Sequence, residues 1–168
     1  MKLKKLLALL IFTAVALGLR LLERLIPLPV ALAGDTLGLA NLITVVAVFL
    51  MKWDDAAVVL ALRVSVASLW LGFVEFLFSA GGGLCAFAVA VGLKKLLPES
   101  QIWIAGVLAA ISHSAGQLLV AAALRQTPYL LLYAPVLLVF SLGIGLVMGL
   151  CAQFLVRRGS MLWKTVLE

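Results

Sequence analysis

Charge is scarce in this chain: 12% of its 168 residues are charged, about half the share of a soluble domain. With 65% hydrophobic residues and a mean hydropathy of +1.26, a water-soluble fold is excluded. Histidine occurs once and cysteine twice, so there is no haem-ligand pair, no HExxH and no C-x-x-C spacing that would hold a metal. Cys85 and Cys151 lie inside apolar stretches and read as small core residues. There is also no GxxxxGK[ST] loop, so nucleotide hydrolysis by that route must come from a partner. Asp54-Asp55 is the only adjacent acidic pair. Carboxylates that bind Mg²⁺-diphosphate usually cluster, and this pair reads instead as a cap on the helix that follows.

What the chain does have is apolar length. A spanning helix needs about 20 apolar residues, so 168 residues supply about six spans and one membrane domain, residues 1–168. The expected architecture is an all-α, polytopic bundle of about six transmembrane helices. The spans run from about Leu6 to Leu25, Leu37 to Met51, Ala56 to Leu71, Leu84 to Leu97, Ile102 to Leu124 and Tyr129 to Val156. Pro27 and Pro29 end the first, the second is short enough to need tilt or thinning, and Pro135 is expected to bend the sixth. Gly72 to Gly83, with Glu75, three phenylalanines and Gly81-Gly82-Gly83, reads as a loop or partly re-entrant segment. The basic N-terminus and Ala31-Leu32-Ala33 superficially resemble a secretory signal, but Arg20, Glu23 and Arg24 lie before that site and further spans follow it, so an uncleaved first helix is expected.

The net charge is +6 and the pI about 9.8, yet the bases sit at span ends, which points to membrane topology rather than nucleic acid. Lys2, Lys4, Lys5, Lys52, Lys94, Lys95, Arg157, Arg158 and Lys164 share one side, and Arg20, Arg24 and Arg125 the other. The positive-inside rule then places both termini in the cytoplasm of a multi-pass cell-membrane protein. Trp53, Trp70, Trp103 and Trp163 fall near the same expected interfaces.

Polar residues at membrane depth are the candidate site. Arg63 lies mid-span, where a charge costs roughly 2.5–3.5 kcal/mol. It either faces a cavity and an anionic or carbonyl-rich ligand, or pairs with Glu23, Asp35 or Glu75. His113 and Gln117, spaced i, i+4, share one helix face and either line that cavity or tie helices together. Asn41 is a third inward candidate. Ala14 and Gly18, and Ser141, Gly145 and Gly149, form small-xxx-small stripes that permit close helix approach.

Leu37-Gly38-Leu39-Ala40-Asn41, Leu62-Arg63, Gly81-Gly82-Gly83 and Ser112-His113-Ser114-Ala115-Gly116-Gln117 together resemble the Gx transporter family. This family is also labelled heptaprenyl diphosphate synthase component I and is related to the S components of energy-coupling factor (ECF) transporters. The resemblance covers about Leu7 to Leu155 and departs at Thr36, where a basic residue is common. It implies a non-catalytic substrate-binding subunit for vitamin-type uptake, without a cofactor, that works with a membrane T component and a pair of cytoplasmic ATPases. Asn41, Arg63, Glu75, His113 and Gln117 would bind the small-molecule substrate. Ala14 and Gly18 would dock the T component, and the segments Pro27–Thr36 and Gly72–Gly83 would close over the site. The label also implies an alternative, an accessory subunit of a polyprenyl diphosphate synthase, although Asp54-Asp55-Ala56-Ala57-Val58 is not the DDxxD-type motif of the catalytic chain. A membrane subunit of a quinone- or flavin-linked redox complex is the remaining alternative.

Overall fold

The computed structural model describes residues 2–23, 25 and 38–167. The segment Pro27–Thr36, with Asp35, and Arg24 lie outside the described residues, as do the side chains of Lys2, Trp163 and Lys164. The described chain forms six α-helices: α1 (Lys2–Glu23), α2 (Leu39–Leu50), α3 (Trp53–Leu71), α4 (Phe73–Lys94), α5 (Ile102–Arg125) and α6 (Ala134–Leu167). Four stretches are long and apolar enough to cross a membrane: Leu3–Glu23, Phe73–Lys94, Glu99–Arg125 and Pro128–Ser160. This is the all-α architecture of a polytopic membrane protein.

The 12 residues of α2 span only about 18 Å, too little to cross unaided. It is central instead, touching each of the other five helices, and Ala40–Val48 is buried apart from Leu42. A helix apolar on all sides is stable only when enclosed, which is the reason α2 can be both short and hydrophobic. The outward face of α6 carries Leu138, Val139, Phe140, Leu142 and Leu146, all exposed, as suits contact with lipid tails.

Charges hold α2 and α3 at one end of the bundle. Lys94 Nζ donates to the carbonyls of Val48 and Met51 at 2.6 and 2.7 Å, so the last base of α4 satisfies the open carbonyl end of α2 and complements its dipole. Lys5 pairs with Asp55 at 2.7 Å. Asp54 and Asp55 lie within the first turn of α3 and make no side-chain cap; Lys52 is the N-cap. Lys94→Met keeps the apolar stem and loses both bonds; unfolding followed by tryptophan fluorescence in detergent is expected to show a loss of about 1–2 kcal/mol.

The expectation of a loop over Gly72 to Gly83 is corrected. Gly72 alone (φ 88°) breaks the chain, and Phe73 onward is helix, so this segment is part of the bundle wall and no covering flap. Glycine marks a loop in water, where it loses the most entropy on ordering. In this bundle it lets helices approach closely: a Cβ on Gly81 would lie 3.3 Å from the Gly116 carbonyl oxygen of α5, and one on Gly83 would lie 2.9 Å from the Leu60 side chain of α3. Pro135 is likewise corrected. It is the second residue of α6, after a 3-10 turn at Pro128–Tyr133, where a missing amide proton costs nothing. Cys85 is half-buried, but Cys151 faces outward.

Candidate ligand-binding site

The end of the bundle opposite Lys5 and Lys94 gathers the C-terminus of α1 and the N-termini of α2 and α4. Arg20 and Glu23, one turn apart on α1, form an ion pair at 3.2 Å. The second Glu23 oxygen accepts the Gly38 amide at the start of α2. Arg20 also pairs with Glu75 in the first turn of α4, and Ser79 Oγ donates to Glu75 at 3.1 Å. One guanidinium thus joins α1 to α4, and one carboxylate joins α1 to α2.

Arg63 of α3 is 6% exposed, and its Nη2 donates to Asn41 Oδ1 on α2 at 3.3 Å. Among the described residues it forms no ion pair, so Glu23 and Glu75, the carboxylates expected to meet it, meet Arg20 instead. His113 of α5 is 5% exposed and lies against two glycines. A Cβ on Gly82 would be 2.5 Å from its Cε1 and Nδ1, and one on Gly38 would be 3.2 Å from its Cδ2. Gly38 has φ 75°, a left-handed conformation that a side chain would strain. Gln117, one turn beyond His113, is buried beside Gly82.

The structure therefore brings Asn41, Arg63 and His113 together, with Gln117 flanking them. It places Glu75 in the adjoining ion-pair network. Arg20 and Gly38 also line the site, and Glu23, expected only as a possible partner of Arg63, joins them; none of the three was a ligand-binding candidate in the sequence. Their signal was an i, i+3 charge pair at the end of a 21-residue apolar span.

Three side chains here have buried nitrogens with no hydrogen bond of good geometry among the described residues, Arg63, Asn41 and His113, and the His113 ring also meets the backbone of Gly82. Each such vacancy costs about 1–3 kcal/mol. Two narrow clefts adjoin them. One is lined by Arg20, Glu23, Gly38, Arg63, Ser79 and His113; the other by Gly38, Asn41, Val45, Ala109, Ile144 and Met148. Each leaves about 10 Å³, the room of a single water. Among the described residues no three of His, Cys, Asp and Glu converge as metal ligands. The donors present suit an acceptor-bearing organic group.

The model of a family described as heptaprenyl diphosphate synthase component I matches residues 12–155. No curated protein and no solved structure matches the sequence.

Proposed function

The chain belongs to the heptaprenyl diphosphate synthase component I family, and from that premise we propose that it is the substrate-binding S component of an ECF-type importer. It captures a small vitamin-like or precursor molecule and has no catalytic role of its own. The observation that carries this reading is the set of buried nitrogens without a hydrogen bond of good geometry on Arg63, Asn41 and His113 inside a membrane bundle. Intramembrane polar groups are costly and are retained where they serve a pathway or a ligand. Both termini lie in the cytoplasm, as the distribution of bases supports, and the site then faces the outer leaflet.

Partner docking falls to α1. Ala14 is exposed, and a Cβ on Gly18 would meet nothing within 4 Å, so this small-residue face lies open on the surface of the bundle. A T component with small residues of its own could approach it closely, and a cytoplasmic ATPase pair would drive release.

Co-expression with a T component and the ATPase pair tests the assignment. The complex is expected to co-purify and to support ATP-dependent uptake. Ala14→Leu combined with Gly18→Leu is expected to cut co-purification by about tenfold or more while leaving the melting temperature unchanged. The family's description favours one alternative, an accessory subunit of a polyprenyl diphosphate synthase. A prenyltransferase that co-purifies in place of the T component would establish that reading.

A further inference from the structure

Resting on the capture-subunit reading, we propose that the ligand is an amphipathic monocarboxylate. Its carboxylate lies between Arg63 and the Gly38 amide, where Glu23 now sits, and its apolar body lies between α2, α5 and α6. The protein already shows what this position accepts, because the Glu23 carboxylate takes the amide that opens α2. A helix N-terminus favours an anion through its dipole and its free amides. Arg63 and His113, both more than nine-tenths buried, line the same cleft with nitrogens that have no hydrogen bond of good geometry among the described residues.

Charge limits the head group to one negative charge. Arg20 and Arg63 together already balance the carboxylates of Glu23 and Glu75, so Arg63 neutralises an incoming carboxylate only as Glu23 takes up a proton and withdraws. A diphosphate, with about three negative charges, would leave most of them uncompensated in a low-dielectric site.

The second cleft sets the shape of the body. It meets the first at Gly38, where a Cβ would lie 2.9 Å from Asn41 Nδ2, and its wall of Val45, Ala109, Ile144 and Met148 is apolar. Both clefts are narrow, so binding parts α2 from α5, and release of Gly38 by Glu23 frees the end of α2 that must move. Glu23 thus acts as an internal competitor of the ligand.

Titration calorimetry on the full chain in detergent, without coupling partners, tests this with geranic acid, geraniol and geranyl diphosphate. The three share one body of about ten carbons and differ in the head. Geranic acid is expected to bind at least about tenfold more tightly than either of the others. Arg63→Gln is expected to weaken it by about tenfold. Ile144→Phe, which overfills the second cleft, is expected to abolish binding at a stability cost of about 1–3 kcal/mol, with an unchanged size-exclusion profile showing that the variant is folded. Glu23→Gln is expected to tighten binding about threefold, because the amide oxygen still accepts from Gly38 but no longer repels the ligand. Tighter binding of the diphosphate, equal binding of geraniol, no binding of any of the three, or weaker binding by Glu23→Gln overturns the proposal. Uptake and T-component co-purification are separate readouts, so this ligand class can fail while the capture-subunit reading stands, and the reverse.

Discussion

Glu23→Leu is expected to lower the unfolding free energy by about 3–5 kcal/mol, the usual cost of removing one partner from a buried ion pair. Glu23 is 2% exposed and holds Arg20 at 3.2 Å while accepting the Gly38 amide. Leucine there leaves the Gly38 amide without its acceptor and gives up one of the two carboxylates around Arg20. Because α2 touches every other helix, loosening its N-terminus propagates through the bundle. Glu23→Gln retains an acceptor for Gly38 and is expected to cost only about 1–2 kcal/mol. Thermal unfolding of the two variants beside the parent chain measures the difference. Equal losses would mean that volume, and not the carboxylate, is what the site requires.

Gly149→Val is expected to prevent assembly of α5 on α6, with a loss above about 3 kcal/mol. A Cβ on Gly149 would lie 3.0 Å from the Cα and C of Trp103 and closer still to its carbonyl oxygen. Overpacking of side chains costs about 1–3 kcal/mol because they can yield; the backbone of Trp103, in the first turn of α5, yields only if the helix itself moves. The same contact is seated by the Trp103 amide donating to Gln153 Oε1 at 3.3 Å and by Ser141 Oγ donating to Ser114 Oγ at 2.6 Å. Gly92→Ala and Gly143→Ala are the controls. A Cβ at either meets nothing within 4 Å, and alanine in a helix is favoured over glycine by up to about 1 kcal/mol. Size-exclusion chromatography after heating should therefore rank the three variants with opposite signs about the parent chain.

Composition and hydropathy alone determined that the chain is a membrane bundle of helices, because the cost of leaving backbone unpaired in hydrocarbon allows little else. They also singled out Asn41, Arg63, His113 and Gln117, since polar groups at membrane depth stand out against an apolar background. The positions of the helices along the chain were legible for the same reason, apart from α4 and the two ends of α6, which starts after a 3-10 turn and runs on to Leu167. In α4, Gly81-Gly82-Gly83 read as a loop, because glycine's local preference and its use in close packing have the same signature in one dimension. Pairing was not legible. Arg63 had three carboxylates within plausible reach of the sequence; the i, i+3 spacing allowed Glu23 to pair with Arg20, but nothing said that Glu75 would join them and leave Arg63 with Asn41. Which charges neutralise one another is decided by how α1, α2, α3 and α4 cross in space. Coulomb energy in a low-dielectric interior depends on separations of a few ångströms, and those exist only once the helices are packed.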